Sequence, residues 1–205
     1  MPANRFIPPA IPTVRTEPPA GSGWLHELKF DGWRVQLHKT RDTSVIYSRN
    51  GNDITDRCHS LAKAVDSFLV DSFILDGELI AIGPDGLPQF DLIGKSRSLH
   101  QVWAFDLLAI EGQDMRPLAW TDRRRRLESL MASAPDCLRL SETFEDPIKL
   151  LSAAEDLGLE GVVSKRLTSA YRSGDRSGWT KVKTISWREV NRDRRWRKVR
   201  TSKES

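Results

Sequence analysis

Cysteine and histidine are scarce in this chain, and neither falls into a usable pattern. The two cysteines, Cys58 and Cys137, lie far apart without the paired spacing of a zinc site, and two cysteines make no disulfide framework. They read as buried or incidental thiols. His26, His38, His59 and His100 lack metal-ligand spacing and read as structural or surface residues. No apolar run is long enough to cross a bilayer, and no charged-then-apolar signal segment opens the chain. The expectation is a bacterial-type intracellular protein, cytoplasmic and nucleoid-associated, with no membrane partner. Internal repeats are absent too.

With 205 residues the chain can bury a full core, and length favours one compact domain. The net charge of +4 is unevenly spread. From Thr184 to Ser205 there are eight Lys or Arg against three acids, so the basic character comes from a terminal appendage. With Trp187 and Trp196 interleaved, such a tail could track a phosphate backbone, with Arg194 and Arg195 as its DNA-binding candidates. A solvated basic helix or a disordered end is an equal alternative.

Residues 2–23 hold six of the eleven prolines, which predicts an extended segment over the surface, packed down by Phe6, Ile7, Ile11 and Val14. Period-two apolar runs predict strands at 24–30, 33–38, 43–48, 73–82, 101–109, 161–165 and 179–183. Helices are expected at 56–69, 121–132 and 146–157, the last with Asp146 as N-cap, Pro147 at its first position and Gly158 past its end. Strand pairs close in sequence and few helices argue for an α+β fold of largely antiparallel sheets. The organisation is read as an extended Pro-rich segment over 1–23, a domain over 24–183 and a basic tail over 184–205.

Several segments carry chemistry. In Glu27-Leu28-Lys29-Phe30-Asp31-Gly32-Trp33-Arg34, a lysine in a strand-like run is followed by an acid, a glycine and an arginine. Lys29 and Asp31 share a face if the strand continues, and Gly32 permits a sharp turn. Arg49 sits in the polar loop Ser48-Arg49-Asn50-Gly51, which could be a plain turn. Asp76 and Glu78 point the same way within an apolar strand, and buried carboxylates need a cation or donors. A structural ion pair is the plainer explanation. Glu160 stands between a helix terminator and a strand, as a metal ligand could. Lys181 and Lys183 share a strand face and would crowd each other unless an anion lay between them. Arg176, in a polar loop, is a candidate backbone-phosphate contact. Gly94-Lys95-Ser96 has the ending of a P-loop, but Gln89 stands where the leading glycine belongs.

In this order, the lysine motif, the Arg49 loop, Asp76-Gly77-Glu78, Val102-Trp103-Ala104-Phe105-Asp106, Glu160-Gly161-Val162-Val163-Ser164-Lys165 and Trp179-Thr180-Lys181-Val182-Lys183 resemble the covalent nucleotidyltransferases. The resemblance spans about residues 24–183 and is to the adenylation domain of bacterial ATP-dependent DNA ligases, on the branch related to the end-joining ligase. It implies a nucleotidyltransferase (ATP-grasp-like) fold and sealing of nicked double-stranded DNA through a lysyl-AMP and a 5′-adenylated DNA. Lys29 is then the nucleophile, and the ATP-binding residues are Glu27, Arg34, Arg49, Glu78, Phe105, Lys165, Lys181 and Lys183. Phe105 would stack on the purine. Glu78 and Glu160 would hold Mg²⁺ or Mn²⁺, and Arg49 and Arg176 would contact DNA. RNA ligation, or a non-catalytic module that binds nicks, is the alternative. Ligases of this type continue into an OB-fold, a five-stranded barrel. The 22 residues after Lys183 are too few for one. A minimal ligase, a piece of a longer protein, or dependence on a repair partner or a separate OB-fold clamp would each account for that.

Overall fold

The computed structural model describes residues 5–84, 89–93, 95, 99–175 and 178–192. Among these the strands form two sheets, and the facing surfaces of the sheets make the walls of a cleft. The first sheet is ordered β1 (Thr13–Val14), β10 (Trp179–Lys183), β9 (Gly161–Arg166) and β2 (Trp24–Lys29). The second runs β4 (Ser44–Ser48), β3 (Trp33–Lys39), β5 (Phe73–Ile82), β6 (Leu99–Ile110) and β7 (Gln113–Asp114), with β8 (Leu138–Leu140) paired to β6. All pairings are antiparallel except β1 with β10 and β8 with β6. This is the α+β architecture that the short-range strand pattern predicts.

The core lies behind the second sheet. Val35, Leu37, Leu75, Leu79, Val102 and Leu107 pack against α1 (His59–Asp66) and α2 (Trp120–Met131) through Leu61, Val65, Leu127 and Leu130. The helical run expected at 56–69 is split. Residues Thr55–Cys58 form a 3₁₀ turn, whose entry Asp53 braces by accepting from the Thr55 N–H at 2.9 Å, and α1 follows. In α3 (Pro147–Asp156), Asp146 accepts from the N–H groups of Ile148 and Lys149, and Gly158 beyond the end has φ +64°, as a helix terminator requires.

The proline-rich segment packs into a smaller cluster. Ile7 and Ala10 are buried with Ile74, Leu108, Tyr171 and Trp179, and Gln36 accepts from the Ile7 N–H. After β10 comes a further helix, α4 (Ile185–Val190), which the composition alone does not mark off from the rest of the basic tail. Its first two N–H groups, on Ile185 and Ser186, both donate to the Glu155 carboxylate at 2.7 Å, and this fastens it to the end of α3. No helix among the described residues is long and apolar enough to cross a membrane.

Candidate active site

The cleft has a volume of about 600 Å³. One wall is laid out by register. Lys29 and Lys183 each lie opposite Gly161, on either side of it, so a single row crosses β2, β9 and β10. Only glycine fits at the centre. Gly161 has φ +148°, and a Cβ there would come within 2.0 Å of the Val182 carbonyl oxygen. Period-two alternation then turns Glu27 and Lys29, Val163 and Lys165, and Trp179, Lys181 and Lys183 toward the cleft, where all of them line it.

Glu160, just before β9, bridges the row. Its two carboxylate oxygens accept from Lys29 Nζ and Lys183 Nζ, each at 2.7 Å. Lys183 also lies over the indole of Trp187, 3.7 Å from the ring centroid. Lys181 makes no ion pair among the described residues, and its pKa is lowered, first by burial and then by the charges of Lys29 and Lys183, with Arg49 adding to the effect. Arg49 itself lines the cleft from the turn after β4. Four cations against the carboxylates of Glu160, Glu78 and Asp31 leave this end of the cleft suited to a polyanion.

The opposite wall separates the two acids of β5. Glu78 lines the cleft and accepts from the Gly32 N–H at 3.1 Å. A Cβ on Gly32 would meet the Leu79 carbonyl oxygen at 2.3 Å, so the chain passes this close to β5 only as glycine. Burial pushes Glu78 up to about 7, against which Lys29 and Arg34 act downward and Glu160 upward. Asp76, by contrast, is fully buried in an ion pair. It accepts from Arg34 Nε at 3.0 Å and Nη2 at 2.6 Å, and from the Tyr171 hydroxyl at 2.6 Å. The structural pair and the cleft carboxylate are thus both present, two residues apart. Arg34, expected at a ribose or phosphate, is bound on its cleft-lining side chain by Asp76 and donates also to the Ala10 carbonyl.

At the inner end, Lys165 donates to Glu27 at 2.7 Å and to the Phe105 carbonyl at 2.9 Å, and Ser141 donates to the other Glu27 oxygen at 3.0 Å. Desolvation pushes Glu27 up and Lys165 down despite their pairing. Phe105 lines the cleft with its ring near the Lys165 ammonium (4.6 Å) and the Arg34 guanidinium (5.3 Å). Asp31 does not share a strand face with Lys29, because β2 ends at Lys29. Its carboxylate accepts from the Trp187 indole N–H at 3.2 Å. Arg176, Arg194 and Arg195 lie outside the described residues.

Sequence reasoning brought Lys29, Glu27, Arg34, Arg49, Glu78, Phe105, Glu160, Lys165, Lys181 and Lys183 forward separately, and one cleft collects them all. It missed Ser141, Tyr171 and the placement of Trp187. The only signal for Trp187 was an aromatic residue among basic ones.

The family described as ATP dependent DNA ligase domain matches residues 15–183. The chain belongs to this family. It is 40% identical over 191 residues to the multifunctional non-homologous end joining protein LigD of Pseudomonas aeruginosa, an alignment covering 89% of this chain and 22% of that protein. The ligase domain of Mycobacterium tuberculosis LigD superimposes with a TM-score of 0.76 at 29% identity, over 85% of this chain and 60% of that one. A mycobacterial DNA ligase D complexed with ATP and MES gives 0.73 at 28% identity, over 85% and 59%. The chain spans about a third or less of the length of the first curated relatives it matches. Within this family the two facing sheets are the nucleotidyltransferase fold of DNA ligase domains.

Proposed function

We propose that this chain is the adenylating unit of an ATP-dependent DNA ligase and that Lys29 is its nucleophile. The observation that carries this reading is the row Lys29–Gly161–Lys183, its two ammonium groups bridged by Glu160, with Lys181 on the same face of β10 beside it. A nucleophilic amine at the edge of a polyanion site is what attack on a triphosphate needs.

In the first step Lys29 Nζ bonds to the α-phosphorus of ATP, the bond from that phosphorus to the bridging oxygen breaks, and pyrophosphate leaves. The proton that the ammonium must lose has an acceptor at 2.7 Å in Glu160. Lys181 and Lys183 face the phosphates, and as Lys183 turns to them it releases its Glu160 oxygen. Phe105 offers a ring face to the base, and the buried Glu27–Lys165 pair offers polar atoms to its edge. The AMP then passes to a 5′-phosphate at a nick in double-stranded DNA, freeing Lys29, and attack by the adjacent 3′-hydroxyl expels AMP. Arg49, at the cleft mouth, and the basic residues Arg176, Arg194 and Arg195 are the proposed DNA contacts.

Glu78 and Glu160 fit a divalent cation such as Mg²⁺. Burial raises Glu78 and the Glu160 charge raises it further, a condition that a bound cation would relieve. The described residues contain no group of three or more His, Cys, Asp or Glu placed to hold a metal, and Mg²⁺ characteristically takes one or two carboxylates, completing its shell with phosphates and water. When bound it would neutralise charge developing on the phosphoryl oxygens.

Incubation with α-labelled ATP and Mg²⁺, followed by denaturing electrophoresis, tests the reading. The wild type should take up label, Lys29→Ala should not, and nicked DNA should chase the label into sealed product. A nicked RNA substrate run in parallel reports strand preference. Label on Lys29→Ala equal to wild type would defeat the assignment of the nucleophile.

A further inference from the structure

Trp187, beyond the last matched residue of the family, stands inside the cleft. Its indole N–H donates to Asp31, two residues after the nucleophile, and its ring lies 3.7 Å under the Lys183 ammonium. The helix that carries it is anchored at its start by Glu155 and by Thr184, whose hydroxyl donates to the Leu159 carbonyl at 2.6 Å. Both partners of Trp187 therefore belong to the site, and the residue is held from both sides.

The two supports of Lys183 differ in kind. Glu160 holds the ammonium by neutralising it, and it is shared with Lys29. An indole face attracts a cation through its quadrupole and leaves the charge undiminished. A lysine that must meet phosphates needs the second kind of support, because the first competes with its ligand. When a triphosphate draws Lys183 off Glu160, the ring still limits where the ammonium can go.

We propose that Trp187 is a positioning residue whose ring face holds Lys183 toward the phosphates of the nucleotide. The inference rests on the reading of Lys183 as a phosphate-binding residue. It places one determinant of nucleotide use on α4, outside the matched 15–183 segment.

The test is a double-mutant cycle on the full chain. Rates of lysyl-AMP formation against ATP concentration are measured for wild type, Trp187→Leu, Trp187→Phe, Lys183→Ala and the double variant Lys183→Ala/Trp187→Leu. Trp187→Leu is expected to lower kcat/KM about tenfold. Trp187→Phe, which keeps a ring face and loses only the N–H, should stay within about threefold of wild type. In the Lys183→Ala background, Trp187→Leu should change the rate by less than about twofold. Equal impairment by Leu and Phe, or full additivity with Lys183→Ala, would mean that Trp187 only packs and would overturn the inference. Thermal midpoints show whether Trp187→Leu folds, and Trp187→Met takes its place if it does not. A wild type that takes no label would refute the adenylation reading and not this one. Calorimetric binding of inorganic tripolyphosphate then carries the same cycle, and equal binding by wild type and Trp187→Leu would overturn the positioning role.

Discussion

Lys165 and Glu27 meet at 2.7 Å in an ion pair whose side chains are only 1% and 4% exposed. Burial shifts both toward neutrality even though they face each other, so desolvation outweighs attraction here. Removing one partner leaves the other charged and alone. Glu27→Met or Lys165→Met should each cost about 3–5 kcal/mol of folding stability. The double Met variant should fall within about 2–3 kcal/mol of wild type, the remaining cost being the Ser141 hydroxyl left without its acceptor and the Phe105 carbonyl left without its donor. Urea unfolding of the three variants measures this. A double variant as unstable as the sum of the singles would show that the pair is a net source of stability.

Glu78 ties stability to pH. Its carboxyl is raised from 4.5 to about 7 in the folded chain, so between those values the folded state holds a proton that the unfolded state has released. The contribution is present below about pH 4.5 and is lost as pH rises through 7. Glu78→Gln should flatten this slope and stabilise the protein at pH 8 by about 1–2 kcal/mol, while lowering self-adenylation. Urea midpoints from pH 5 to 8 for both proteins decide it. Parallel slopes in wild type and variant would place the titration elsewhere.

What the sequence made legible was local. The lysine motif, the paired lysines of β10 and the capped helix α3 depend on spacings of two to four residues, and strand or helix geometry turns such spacings directly into shared faces. What it hid depends on which distant strand is the neighbour. Asp76 and Glu78 look equivalent along β5, and only the register that sets Arg34 opposite Glu78, with Tyr171 arriving from elsewhere, buries one and leaves the other in the cleft. Asp31 and Trp187 are 156 positions apart, and Ser141 and Glu27 are 114 apart. No periodicity reaches that far.

Gly161 is the pivot of the Lys29–Lys183 row. Its φ of +148° and the 2.0 Å approach of a hypothetical Cβ to Val182 mean that any side chain must push β10 away. Gly161→Ala should cost at least about 2 kcal/mol and separate the two lysines that Glu160 bridges. The expected result is a lower thermal midpoint together with a self-adenylation rate reduced by about two orders of magnitude, since about 1 Å of misplacement can cost that much. A variant that loses stability but adenylates at the wild-type rate would show that the row is not needed for the chemistry.

Asp76 and Tyr171 can be separated in the same way. Asp76 accepts three hydrogen bonds, two from Arg34 and one from Tyr171, and it is fully buried. Tyr171→Phe removes a hydroxyl that donates to Asp76 and accepts from the Ala10 N–H at 3.1 Å and from Arg34 Nη2 at 3.3 Å, yet leaves the two Arg34–Asp76 bonds intact, so it should cost about 3 kcal/mol or more and change self-adenylation by less than about threefold. Asp76→Ala strips the guanidinium of its counter-charge, at a cost of about 3–5 kcal/mol. Arg34 would then swing toward the cleft or draw in an anion. Adding tripolyphosphate should therefore raise the thermal midpoint of Asp76→Ala more than that of wild type or Tyr171→Phe. Equal increments in all three would mean that Arg34 stays where it is without Asp76, and that the pair does not set the position of the guanidinium.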